Sequence, residues 1–152
     1  MVPDSPSGRR ATFRLLDVNE VVSMVLDRLE SAETGPLRRR LGARLPRVIG
    51  DPVLLACAVA SMVRHGGHAR GAYADPLVVV TERLPSVVHG EFVTRIRVAV
   101  DGHATSGRAA REVRASGGSE LALAARIAGD HGGVVLGTDE PGAVLDLPSV
   151  AA

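Results

Sequence analysis

The chain is expected to fold as an α/β (α+β) two-layer sandwich, with about three helices on one face of a mixed, mostly antiparallel sheet. Three observations predict this. Three segments carry helix caps and place apolar residues at helical spacing. The segments between them are β-branched runs or alternate apolar with polar residues. The connections are short, which favours antiparallel strand pairing with the helices layered on one side. The predicted order is β-α-β-α-β-β-α-β-β, with no internal repeat and no clear internal boundary, so residues 11–150 read as one domain. Residues 1–10 hold Pro, Ser and Arg and are expected to be a disordered lead-in.

Each element has a local reason. Ala11 to Leu16 suits a short strand, and Asp17 then caps a helix with Glu20 at the reciprocal capping position. Val21, Val22, Val25, Leu26 and Leu29 make that helix apolar on one side, and Thr34-Gly35-Pro36 is expected to end it. Leu37 to Leu45 suits a strand whose arginines face water. Asp51 fits the cap of the second helix, and Pro52 fits its first turn, where a missing N–H costs nothing. Leu54, Leu55, Ala58, Val59, Met62 and Val63 form its predicted buried face, and Gly66-Gly67 its predicted end. Leu77 to Val80 is a continuous apolar run, and Phe92 to Val100 alternates as a half-buried strand should. The third helix is expected from Ser119 to Asp130, followed by a hairpin turning at Asp139-Glu140-Pro141-Gly142.

Composition narrows the function. The chain has 152 residues and only three aromatics, Phe13, Tyr73 and Phe92, so the core must be built from aliphatic residues. All 18 basic residues are arginine and the formal net charge is +1, which argues against a nucleic-acid partner. The run Arg38-Arg39-Arg40 with Arg44 and Arg47 has no interleaved aromatics for base stacking and reads as a solvated strand and loop. The single Cys57 excludes an internal disulfide and is expected to pack in the core. The longest uncharged apolar stretch, Val53 to Val63, falls well short of the ~20 residues a membrane helix needs. With no apolar signal segment at the start, the expectation is a cytoplasmic protein with no membrane partner.

The stretch Gly117-Gly118-Ser119-Glu120-Leu121-Ala122-Leu123, running through His131-Gly132-Gly133 into the closing hairpin, resembles the end of a histidine-kinase ATPase domain of the GHKL, or Bergerat-fold, family. Phe13 to Val22 resembles the strand and helix that open such a domain, and Leu45 to Leu55 the lead into its asparagine-box helix. The resemblance covers roughly Phe13 to Pro148. It implies a nucleotide site, with Mg²⁺ held partly by an asparagine four residues after another polar residue. The matching positions carry Ser61 and His65; the one asparagine, Asn19, lies in the first helix. An imidazole nitrogen is a poor substitute for a hard oxygen ligand. The family's Asp-x-Gly-x-Gly leaves Asp101, implied to bind adenine, while His103 and Thr105 stand where glycines belong. The second glycine box keeps Gly118, preceded by Gly117, but places Glu120 where phosphate should approach a helix start.

The remaining candidates are weaker. Only residues 102–117 separate Asp101 from Gly118, a short stretch for a lid, and no phenylalanine anchors it. Arg108, Arg111 and Arg114 recur every third residue and are expected to form a solvated helix face. His131 is expected to be a structural helix stop. His68, His89 and His103 match no metal motif.

The expected function is therefore a degenerate histidine-kinase-like ATPase domain acting as a regulatory or protein-interaction module in bacterial signalling. It would have no catalytic residue, no metal and no bound cofactor, and a signalling-protein partner or a homodimer. Asp101, Gly117 and Gly118 would be a vestigial nucleotide site, with Ser61, His65, His103 and Glu120 at its substituted positions. The alternative is a divergent ATP- and Mg²⁺-binding kinase or ATPase, of the histidine-kinase or anti-sigma-factor type. Its partner would supply the phosphoacceptor, since no helix pair fits before Phe13. A phosphotransfer protein with a decayed ATPase domain ranks third, because it needs that same helix pair.

Overall fold

The computed structural model describes residues 11–29, 36–70, 76–85, 92–100, 111–114, 120–137 and 142–150. In chain order the elements are β1 (Arg14–Leu16), α1 (Val18–Leu29), β2 (Leu37–Leu41), β3 (Val48–Gly50), α2 (Pro52–Arg70), β4 (Leu77–Pro85), β5 (Phe92–Val100), β6 (Arg111–Glu112), α3 (Glu120–Asp130), β7 (Val134–Gly137) and β8 (Gly142–Pro148). Six strands form one sheet in the order β2-β4-β5-β8-β7-β6, and β1 pairs with β3 in a separate two-stranded ribbon. Within the large sheet β2 runs parallel to β4, and every other neighbouring pair is antiparallel. This is the predicted two-layer architecture.

Strand periodicity places the core. Leu77, Val79 and Thr81 of β4, Thr94, Ile96, Val98 and Val100 of β5, and Leu145 and Leu147 of β8 are all buried. They point to one side of the sheet, as alternation requires. The helical layer meets them with Val22 and Leu26 of α1, Leu55, Val59 and Met62 of α2, and Ala124, Ile127 and Ala128 of α3, and the apolar residues of both layers form one cluster. The three helices therefore cover one face. On the other face Arg95 makes a two-pronged ion pair with Asp146 on the adjacent strand, Nε to Oδ1 at 2.7 Å and Nη2 to Oδ2 at 2.9 Å. Arg95 and Asp146 are direct cross-strand partners, so register and charge agree. The Asp146 carboxylate raises the Arg95 pKa through its hydrogen bond, against the opposing effect of burial.

Asp17 and Asp51 cap their helices where the sequence predicts. Asp17 Oδ1 accepts from the Asn19 N–H at the start of α1. Asp51 Oδ1 accepts from the N–H groups of Val53 and Leu54 at the start of α2. The asparagine that the resemblance sought elsewhere is a tie between layers. Asn19 Nδ2 donates to the Gly42 carbonyl at 2.8 Å, and its Oδ1 accepts from Thr81 Oγ1 at 2.6 Å. Thr81 Oγ1 in turn accepts from the Gly42 N–H.

Several expectations need correction. Strand β1 starts at Arg14, not Ala11, and β2 ends at Leu41, where Gly42 bonds back to Thr81 and Arg44 turns the chain with a left-handed φ of 57°. Helix α2 does not stop at Gly66-Gly67 but continues to Arg70. Gly66 is there for packing: an added Cβ would lie 3.1 Å from Val98 and 3.5 Å from Leu77. Strand β4 runs on to Pro85, five residues past the apolar run. The short strands β3 and β6 were not expected, and β6 takes Arg111 out of any helix face. Cys57 is exposed, not buried. The lead-in, the end of the first helical segment, Arg108, His89 and the hairpin turn at 138–141 lie outside the described residues.

Two glycines near the end of α3 make opposite predictions. A Cβ on Gly133 would sit 2.2 Å from the Asp146 carbonyl oxygen, whereas one on Gly129 meets nothing within 4 Å. Gly133→Ala should therefore cost about 1–3 kcal/mol, as overpacking does. Gly129→Ala should be neutral or stabilise by up to about 1 kcal/mol. Urea denaturation of both variants measures the difference.

Candidate functional site

The candidate site lies where the C-terminal half of α2 meets the start of α3. Its geometry begins at the other end of the same helix pair. The Asp51 side chain, fully buried, caps α2 and also accepts from the Thr12 N–H at 2.6 Å. The Asp51 N–H donates to His131 Nε2 at 3.0 Å. His131 follows α3, and its Nδ1 lies 2.8 Å from the Ile127 carbonyl. Both bonds are satisfied together only by the neutral ring with the proton on Nδ1. Phe13 stacks on the imidazole, with ring centroids 4.6 Å apart. His131 is thus structural, as expected, and it fastens the end of α3 to the beginning of α2.

Fixed in this way, α2 and α3 run side by side in opposite directions. Ser61, His65 and His68 then occur along α2 toward the first residue of α3, Glu120. Glu120 Oε1 lies 3.2 Å from His68 Nδ1. Ser61 is buried and His65 is half-buried. Burial lowers the His65 pKa from the ordinary 6.5, the Glu120 carboxylate opposes that shift, and His68 reinforces it. The structure brings Glu120 close enough to influence His65 electrostatically. Asp101, His103, Gly117 and Gly118 lie outside the described residues.

The architecture can be compared with known structures. The sensor histidine kinase MprB of mycobacteria superposes with a TM-score of 0.59 at 18% identity, over 93% of this chain and all of that one. The chain has the histidine-kinase ATPase fold. The histidine kinase domain of the E. coli osmosensor EnvZ gives 0.59 at 23% identity, over 91% of this chain and 90% of that domain. The histidine kinase AdeS of Acinetobacter baumannii gives 0.56 at 17%, over 95% and 71%. At these identities the likeness is one of fold. No protein-family model and no curated protein matches the chain.

On α2 the position that the sequence resemblance assigns to a Mg²⁺-binding amide carries the His65 imidazole, whose nitrogen is a poor match for so hard an ion, and the nearby Glu120 carboxylate is in contact with His68. Among the described residues, no three His, Cys, Asp or Glu side chains converge to hold a metal. No helix of the described residues is long and apolar enough to cross a membrane.

A second feature adjoins this site. The face of α2 turned away from the sheet carries Val53, Ala56, Cys57, Ala60, Ser61 and Arg64, spaced as one helical stripe. Met24, Val25, Arg28 and Leu29 of α1 and Leu123 of α3 complete a groove of about 510 Å³. Sequence reasoning assigned Cys57 to the core because α2 is apolar on nearly all sides. The signal was present in that excess: one buried stripe already accounts for the core, so a second apolar stripe falls on the side turned away from the sheet.

The His65 shift has a consequence for stability. A histidine whose folded-state pKa is depressed binds fewer protons folded than unfolded. Its contribution is complete above pH 6.5, its unfolded value, and is lost as pH falls toward the lower folded value. His65→Gln should remove that component. The stability difference between parent and variant, followed by thermal unfolding from about pH 7.5 to below about 6, should shift against the parent as the pH drops; parallel curves would show that His65 ionises freely.

Proposed function

We propose that this chain is a degenerate histidine-kinase-like ATPase domain that acts by protein interaction and turns over little or no ATP. The observation that carries this reading is the Glu120–His68 contact at the first residue of α3. In a phosphate-binding helix start, the free N–H groups and the dipole attract an anion. Here a carboxylate stands in the first turn and is tied to the neighbouring helix. It competes with phosphate by charge. The His65 imidazole on the same neighbouring helix lowers the affinity for Mg²⁺ further, and burial favours its neutral form.

The role follows from what the scaffold retains. The two-layer frame, the α2–α3 pairing and an exposed apolar groove are intact, while the polar groups are poorly matched to a metal-bound triphosphate. The reading is therefore of a regulatory or scaffolding module in signalling, with a protein as its partner, in the cytoplasm, and with no cofactor required. Residues 11–150 act as the single folded unit.

Calorimetric titration with ATP and ADP, with and without Mg²⁺, tests it. No Mg²⁺-dependent binding and no turnover are expected. Turnover that Asp101→Ala abolishes would replace this reading with a divergent, ATP-dependent kinase. Glu120→Gly should partly restore nucleotide affinity. Helix-end electrostatics reach about 2 kcal/mol in partly buried sites, which bounds the gain at about thirtyfold. The gain should be smaller while His65, His103 and Thr105 remain, and adding His65→Asn should introduce Mg²⁺ dependence. If neither variant binds better than the parent, the Glu120 carboxylate is not what excludes nucleotide.

A further inference from the structure

We infer that the open edge of β1 is a self-association surface, on which a second copy of this chain pairs its own β1 antiparallel across a two-fold axis at Leu15. The backbone of the β1–β3 ribbon leads there. The Thr12 N–H donates to the Asp51 carboxylate, on the β3 side of β1. Backbone groups along a strand point to alternate sides. Arg14 and Leu16 therefore follow Thr12 and face their register partners, Gly50 and Val48. The N–H and C=O of Leu15 face away from β3. The far side of β3 is occupied: the Arg47 carbonyl accepts from the Val150 N–H, and the Asp51 N–H donates to His131. The ribbon thus has one closed edge and one open one, and among the described residues β3 is the only strand paired with β1.

The side chains beside this edge suit a partner strand. Leu15 is 49% and Ile49 53% exposed, and they are direct cross-strand partners. They share the face of the ribbon opposite to the buried pair Leu16 and Val48. An open strand edge with an apolar face is a template for further pairing. The patch also carries both signs of charge, because Arg14 and Leu15 line one cleft with Asp17 and Glu20. Among the described residues neither Arg14 nor Glu20 forms an ion pair.

Those features select a second copy as the occupant. A two-fold axis at Leu15 makes each Leu15 N–H donate to the Leu15 carbonyl of the other copy. It sets Arg14 opposite Leu16 of the second copy, next to that copy's Asp17 and the first turn of its α1. The same contact occurs twice, so one patch complements itself. A flexible peptide would gain the same hydrogen bonds but lose its freedom on ordering. In a second copy β1 is already held by β3. Joining the two ribbons gives four strands with both Leu15–Ile49 pairs in one apolar row. The inference goes beyond the interaction-module reading and does not depend on it: Mg²⁺-dependent ATP turnover would remove that reading and leave self-association standing.

The test follows the mass of the full chain by analytical ultracentrifugation over a range of concentrations. A monomer–dimer equilibrium is expected. Leu15→Pro removes the N–H that faces the open edge and leaves the β3 side of the ribbon paired, so it should give a folded monomer. Arg14→Glu should weaken dimerisation roughly threefold to tenfold, and adding Glu20→Arg should restore it. Position is tested by oxidation in a Cys57→Ser background. Paired Leu15 residues have Cα atoms about 5.5 Å apart, within disulfide reach, so Leu15→Cys should link two copies. The two Ile49 residues lie three strand spacings apart, about 14 Å, so Ile49→Cys should not link, although it is equally exposed. The linkage result stands even where Leu15→Pro fails to fold. A chain that stays monomeric at every concentration overturns the proposal. So does a dimer that folded Leu15→Pro leaves intact, or one that Ile49→Cys links and Leu15→Cys does not.

Discussion

The imidazole of His131 joins three parts of the molecule that are distant in sequence. It accepts from the Asp51 N–H and lies within bonding distance of the Ile127 carbonyl, while Phe13 stacks on its face. Asp51 simultaneously caps α2 and holds Thr12. The entry strand, the start of α2 and the end of α3 are thus set by one buried hydrogen-bonded cluster. Burying these groups is tolerable because their partners are present; removing one would leave a desolvated donor or acceptor, at about 1–3 kcal/mol for each unsatisfied group. The packing around the cluster is correspondingly close. A Cβ on Gly50 would approach His131 Cδ2 to 2.7 Å. Gly132 takes a φ of +75° and Gly133 passes against the Asp146 carbonyl, so the chain can leave α3 and enter β7 at once.

The same closeness governs the rest of the core. With so few aromatic residues, large volumes cannot be filled by rings, so the layers approach closely on small ones. Helix α3 buries Ala122, Ala124, Ala125 and Ala128, and α2 brings Gly66 against Val98 and Leu77. Close approach maximises dispersion contacts from aliphatic side chains of modest size. It also explains why α2 can pass straight through two consecutive glycines. The helix cost of roughly 1 kcal/mol for a glycine is offset at Gly66, where the absent side chain admits the sheet.

That compensation marks the boundary of what the sequence makes legible. Asp17, Asp51-Pro52 and His131-Gly132-Gly133 could be read because capping and helix termination depend on a few neighbouring residues. The buried faces of α1 and α2 could be read because periodicity is local too. Gly66 could not, since its role depends on Val98, which is remote in sequence. Strand β3 escaped because three residues carry no usable periodicity, and β6 because its pairing with β7 is decided by the partner. Cys57 was misplaced for a different reason: apolar residues on opposite sides of one helix look alike until the sheet shows which side it covers. At the candidate site, the substitutions at Ser61, His65 and Glu120 were legible as types. The contact between His68 and Glu120 was not, because it needs the antiparallel approach of two helices.

That approach separates two polar clusters along one pair of helices. The Asp51–His131 cluster holds the start of α2 to the end of α3; His68 and Glu120 meet at the opposite end. At about 1.5 Å per residue, His65 lies about 20 Å along the helix from Asp51. Substitutions at that distance, with no shared partner, act nearly independently on stability. The fold can therefore hold while the residues around His65 and Glu120 change character. Because the anchor keeps the frame at the other end, a change of charge or donor at the His65–Glu120 end leaves the Asp51–His131 bond in place, and what it does to stability is confined to the groups it touches.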